Sequence, residues 1–224
     1  MRFSTFIAAA ALISASAATL AVAQTPPAAS LPLPAGVSMK PADAPAGAYT
    51  LDGRHASVTW RIRHQGVSLF TARFDKIEGK LNFDTADPAK STVEAVVQTG
   101  SVSTNVFNAQ GEPAFAKEIA NQFLGGEANP TITFKSTGLK TTGAATGLLS
   151  GDLTLKGVTK PVVFEVEFLG SRLPPMGNNP RYRIGFQGRT IIDRTAFGVS
   201  AANIDATTAK EVEIIINAEF VKDA

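Results

Sequence analysis

The sequence predicts an all-β fold of about eight antiparallel strands interrupted by one short helix. Three observations carry that prediction. Apolar and polar residues alternate with period two in run after run beyond residue 55, and turn residues separate the runs. A single stretch, residues 113–124, switches to helical spacing.

The strands follow in order. Val58, Trp60 and Ile62 alternate with Thr59, Arg61 and Arg63; Ile77, Leu81 and Phe83 alternate with Glu78, Lys80 and Asn82. Residues 91–104 hold another strand. Ile132 and Phe134 then alternate with threonines and Lys135, and Leu149, Leu153 and Leu155 share one parity. Val162, Phe164, Val166 and Phe168 face away from Glu165 and Glu167; Tyr182, Ile184 and Phe186 face away from Arg183 and Gln187. Val212, Ile214, Ile216, Ala218 and Phe220 close the series. Successive strand side chains point to opposite faces, so each run has one apolar and one wet face, the mark of antiparallel sheets. No βαβ rhythm occurs, which argues against a parallel sheet.

The helical stretch places Phe115, Ile119 and Phe123 at i, i+4 and i+8 on one stripe. Pro113 suits the first helical position and Gly125-Gly126 a stop. A lone helix in an all-β chain covers a sheet face or closes a barrel end. The strands permit a filled sandwich or a closed barrel able to hold a small ligand. Periodicity does not separate the two, so the inward apolar residues read either as packed core or as cavity lining.

The N-terminus reads as a secretory signal: Arg2, an apolar Ala-rich run over residues 6–20, and Ala21-Val22-Ala23 ahead of the expected cleavage site, giving a signal peptide over 1–23. The run is short for a membrane span, which needs ~20 apolar residues. Residues 24–47 carry Pro26, Pro27, Pro32, Pro34, Pro41 and Pro45 and read as a Pro/Ala-rich linker, because proline lacks a backbone donor. The folded domain is expected over 48–222. With no cysteine in the chain, disulfides, thiolate metal sites, thiol catalysis and an acylated N-terminal cysteine are excluded. Lys and Arg total 21 against 19 Asp and Glu, with no basic block, so nucleic-acid binding and polybasic membrane attachment find no support.

The first candidates for chemistry are the two histidines, His55 and His64, which flank the only tryptophan. On one uninterrupted strand their odd spacing sends them to opposite faces, which argues against a shared metal ion. Ser57 and His55 share parity, but i, i+2 neighbours stand ~6–7 Å apart along a strand, too far for the ~2.6–3.2 Å contact of a nucleophile and its base. The pairs Glu165/Glu167 and Glu211/Glu213 sit on polar faces. No glycine-rich phosphate loop links a strand to a helix. No catalytic residue, metal site or cofactor is expected. In parity His64 joins the inward set.

Six stretches stand in order: Tyr49-Thr-Leu-Asp52 with His55, Ser57, His64-Gln-Gly66 and Phe74; Ser103-Thr104; Asn129-Pro-Thr-Ile-Thr-Phe-Lys-Ser-Thr137; Gly151-Asp-Leu-Thr-Leu-Lys-Gly-Val-Thr-Lys-Pro-Val162; Ile192-Asp-Arg-Thr-Ala-Phe-Gly198; and Glu211-Val-Glu-Ile-Ile-Ile216. Together they resemble the YceI-like family of exported lipocalin-like proteins. The sequence departs from the family pattern at Asn108-Ala-Gln-Gly-Glu-Pro113, at Ala72 and at Ala196. The resemblance implies an eight-stranded antiparallel lipocalin-like barrel with a helical insertion. It also implies a non-enzymatic, periplasmic carrier whose apolar interior takes an isoprenoid quinone, a polyprenyl compound or a similar lipid. A stable membrane anchor is not expected, and a homodimer is compatible. On this reading the ligand-binding tunnel is lined by Val58, Trp60, Ile62, His64, Ile132, Phe134, Val162, Phe164, Val166, Ile184, Phe186, Ile214 and Ile216, with Phe115, Ile119 and Phe123 as a lid. The alternative is a non-catalytic stress or protein-interaction module with a filled β core.

Overall fold

The structure is a computed structural model and describes residues 32–174 and 180–224. The expected signal peptide and the first part of the linker lie outside the described residues.

The domain is a closed, eight-stranded antiparallel barrel. In chain order the strands are β1 (Gly47–Leu51), β2 (Ser57–His64), β3 (Ser68–Phe74), β4 (Ile77–Phe83), β5 (Thr92–Gln98), β6 (Val102–Ser103), β7 (Thr131–Thr141), β8 (Thr146–Leu155), β9 (Val158–Arg172), β10 (Arg183–Asp193) and β11 (Thr208–Lys222). The ring runs β1-β4-β5-β7-β8-β9-β10-β11 and back to β1. Closure pairs Tyr49 with Lys222 and Leu51 with Phe220. Where β1 closes the ring between β4 and β11 the sheet has no free edge, which limits edge-to-edge association there.

On the side away from β10, β11 serves two partners. Its C-terminal end pairs with β1, and the rest pairs with β2 from Asn217↔Ser57 to Thr208↔His64. The β2–β3 hairpin therefore continues the wall at one end of the barrel, with β6 on its outer edge. β3 is absent from the sequence reading above. Its signal was available: Gln65-Gly66 makes a tight turn with φ of 50° and 72°, and Phe70, Ala72 and Phe74 alternate beyond it. Positive φ at both central residues matches the twist of the strands they join. Lys156-Gly157 repeats the device between β8 and β9, with φ of 52° and 75°.

The helical insertion lies where the spacing places it. α1 (Ala114–Glu118) passes directly into a π turn over Ile119–Phe123. The Leu124 N–H reaches back to the Ile119 carbonyl, and Gly125 follows at φ +64°. Ala116, Ile119 and Ala120 are buried against Val58, Phe74, Ile77, Val97 and Val102. A second helical turn, α2 (Ala202–Asp205), stands just before β11.

The described end of the Pro/Ala-rich stretch packs on the barrel. Ser38 exchanges two backbone hydrogen bonds with Ser171, of 2.9 and 2.8 Å, and Ala44 is buried. The Tyr49 hydroxyl donates to the Pro45 carbonyl at 2.6 Å. The prolines do not prevent this, because a single bridge needs only the N–H and C=O of Ser38.

The core divides along the barrel axis. At the end closed by β1, Tyr49, Phe83, Phe168, Ile184 and Phe220 are buried together, with Phe186 packed on them. Phe186 meets Phe83, Phe168 and Phe220 edge-on, with ring centroids 5.9, 5.4 and 6.2 Å apart. Such contacts add ~0.5–1.5 kcal/mol each beyond area burial. This end is a solid aromatic plug.

Candidate functional site

The opposite half of the barrel is hollow. A cavity of about 830 Å³ opens at the end bounded by α1, the β2–β3 hairpin and the segment before β11. That volume lies within the ~300–1,000 Å³ usual for small-molecule sites. Its walls are mainly apolar.

Each wall follows from strand parity. β2 contributes Val58, Trp60 and Ile62; β7 contributes Ile132 and Phe134; β11 contributes Ile214 and Ile216; and β9 contributes Phe164. Phe115, Ile119 and Phe123 reach in from the helical insertion. The π turn adds a residue to the turn and turns Ile119 and Phe123 toward the same space, a local widening often met at functional sites. Phe70 joins Trp60 to Phe115 through ring contacts of 5.7 and 5.5 Å, so hairpin and helix form one rim. Phe134 stands edge-on to Phe164 at 5.3 Å. His64 lines the cavity at the end of β2, beside Thr208 and Ser68.

Four expected lining residues lie elsewhere. Ile184 and Phe186 have the right parity but belong to the aromatic plug. Val162 packs against Leu153, Ile192 and Phe197 without reaching the cavity surface. Val166 sits between cavity and plug, over Gly147 and Gly188. Parity fixes the face of a side chain and leaves its depth along the barrel open.

Other lining residues escaped the sequence reading. Phe70 and Phe74 belong to the unread strand. Leu153, Leu155, Ile192 and Val212 share parity with residues that were singled out and were recognisable on that ground. Glu118, Asn203, Thr207 and Arg194 carry no periodic signal.

Arg194 is the best-held polar group at the open end. It is buried, and its Nε donates to the Ala209 carbonyl at 2.9 Å. Nη1 donates to the Val199 carbonyl at 2.6 Å and to Asp205 Oδ1 at 2.7 Å. Nη2 faces the carbonyl and hydroxyl of Thr208, both at 3.3 Å. One guanidinium thus pins residues 199–209 across the mouth. The Asp205 carboxyl is held below its ordinary range by hydrogen bonds from Ser200 and Arg194.

The histidines are not on one uninterrupted strand. His55 lies in the turn before β2, its Nδ1 2.9 Å from Asp52 Oδ2. Odd spacing along one strand is therefore not what separates the two rings: His55 precedes β2 and His64 ends it. Asp52, His55 and Glu219 do bring one ligand atom each within 4.8 Å of one another. Arg183 already stands among them, with Nη1 3.0 Å from Asp52 and paired also with Glu219. The positive charge this cluster needs is supplied by that guanidinium. His55 and Arg183 hold the Asp52 carboxyl down at about 2.

Fold and cavity together define a class: an antiparallel β barrel plugged with aromatic rings at one end and, at the other, hollow with a mainly apolar lining. Residues 49–220 match the YceI-like domain, and the chain belongs to that family. A UPF0312 protein of Ectopseudomonas mendocina is 38% identical over 178 residues, covering 78% of this chain and 87% of that protein. One of Azotobacter vinelandii is 38% identical over 177 residues, covering 78% and 86%. Among solved structures, Burkholderia cenocepacia BcnA superposes with a TM-score of 0.63 at 21% identity, over 75% of this chain and 98% of that one. A polyisoprenoid-binding domain from Saccharophagus degradans, implicated in plant cell wall breakdown, superposes with a TM-score of 0.56 at 16% identity, over 78% and 98%. At such identities the structural likenesses establish the shared fold.

Proposed function

We propose that this chain is an exported, non-enzymatic carrier that holds a long isoprenoid-type lipid reversibly in the hollow half of its barrel. The observation that carries the reading is the cavity of about 830 Å³ with its mainly apolar lining. Burying a methylene contributes ~0.8 kcal/mol, so a five-carbon isoprene unit contributes up to ~4 kcal/mol before ordering costs. A few units bind without a strong polar anchor. The polyisoprenoid-binding domain of S. degradans, which shares the fold, supports the ligand class. Export to the periplasm rests on the N-terminal signal pattern. A filled β core, the alternative, fits the plugged half of the barrel but not the hollow half.

The test is mass spectrometry of organic extracts from the purified protein, set against an unrelated exported protein prepared in parallel. Enrichment of a prenyl lipid is the expected result. Absence of any enriched lipid, together with no rise in Tm on adding prenyl compounds, refutes the reading.

A further inference from the structure

The polar part of the cavity lining says what the ligand's head must be. Three lining residues can bear charge: His64, Glu118 and Arg194. The donors of Arg194 are committed to Val199, Asp205, Ala209 and Thr208, so its charge is spent inside the protein. Glu118 differs. It is half-buried on α1, lines the cavity, and takes part in none of the ion pairs among the described residues. The remaining polar lining is the His64 imidazole, the buried Trp60 indole N–H, and hydroxyl and amide groups such as those of Thr104 and Asn203. Arg63 and Lys117 lie next to lining residues in sequence, but both are exposed on the outward side and neither lines the cavity.

From this balance, and resting on the isoprenoid-binding reading above, we infer that Glu118 selects an uncharged, hydroxyl-bearing head, such as that of a prenyl alcohol or a quinol, against prenyl phosphates and fatty acids. An ionised carboxylate accepts a hydrogen bond from a hydroxyl and has no proton to offer a phosphate oxygen. In a partly dry mouth, like charges a few ångströms apart repel strongly, and the guanidinium of Arg194, committed within the protein, offers the phosphate no free donor. Charge-assisted acceptance from a hydroxyl is, in turn, among the stronger hydrogen bonds. The tail supplies affinity and the carboxylate supplies the choice of head.

Farnesol and farnesyl monophosphate share one tail and differ only in the head. Trp60, the single tryptophan, lines the cavity, so its fluorescence reports occupancy. In a titration of the purified protein, farnesol is expected to bind at least about tenfold more tightly than the phosphate at low salt, with the ratio shrinking as salt screens the repulsion. Glu118→Gln brings the two affinities together, and Glu118→Lys inverts their order. Equal or tighter binding of the phosphate to the unaltered protein overturns the inference while leaving lipid binding intact; so does a ratio that Glu118→Gln does not change. Binding of neither compound overturns both readings.

Discussion

Gly151 gives a sharp test of how the cavity wall is packed. It lies on β8 opposite Ser136, two residues before the Leu153↔Phe134 pair, and is buried. A Cβ at this position would strike the ring of Phe134 and stand 2.6 Å from the Lys135 carbonyl oxygen. The ring can swing, since one side of it faces the cavity. The carbonyl cannot, because it belongs to the β7–β8 ladder. In Gly151→Ala the unfolded chain loses freedom, which favours folding by ~0.4–1 kcal/mol. Overpacking costs ~1–3 kcal/mol, and the fixed carbonyl places this site toward the upper part of that range. The net is a loss of about 1–2 kcal/mol, or several degrees at ~2–4 °C per kcal/mol for a domain of this size. The assay is thermal unfolding followed by circular dichroism. Adding Phe134→Leu to Gly151→Ala relieves the ring contact but not the carbonyl contact, so the double variant recovers part of the loss relative to the sum of the singles. A Tm for Gly151→Ala within a degree of the unaltered protein refutes the reasoning, as does strict additivity of the pair.

Three further outcomes are expected. Ile214→Trp, in the cavity wall, lowers farnesol affinity at least about tenfold while Tm holds or rises, because the added volume enters open space; Phe186→Ala, in the plug, costs ~3–5 kcal/mol of stability and changes affinity less. A reversed pattern means the hollow and filled halves are wrongly assigned. Arg194→Met leaves the carbonyls of Val199, Thr208 and Ala209 without their donor, a loss on the order of 3 kcal/mol; amide exchange should rise first in residues 199–209, and a uniform rise along the chain counts against the pinning role. Asp52 has a folded pKa of about 2 against an ordinary 3.8, so its stabilising contribution is complete above about pH 4 and fades as pH falls toward 2. Asp52→Asn removes that share of the acid limb, so urea midpoints of the two proteins differ at pH 6 and converge near pH 2; a constant gap shows that the carboxylate's charge is not what the ion pairs use.

The strands that were legible in the sequence share a cause. β2, β4, β7, β9 and β11 each have one face on the interior and one on water, and period two records that directly. The helical insertion was legible for the same reason, through its stripe of Phe115, Ile119 and Phe123. β3 was lost because Ser68 and Leu69 are exposed and the alternation begins only at Phe70. Its evidence lay in the turn before it, a backbone signal rather than a hydrophobic one.

Ile184 and Ile192 show why the site itself was only partly legible. They lie on one strand with one parity, eight residues apart. One is buried among Tyr49, Phe83 and Phe168, and the other borders the cavity. What separates them is depth along the barrel, which is set by which strands meet at each level. At the level of Ile184, β1 is wedged between β11 and β4, bringing Tyr49 inward, and aromatic rings from four other strands fill the interior. At the level of Ile192, β11 has left β1 for β2, and the hairpin and α1 carry the wall outward. The hollow half thus results from a change of partner along β11, between Phe220 and Asn217. Such pairings join residues more than 140 positions apart in the chain. No local pattern encodes them, although period two marks the inward faces of β2 and β11.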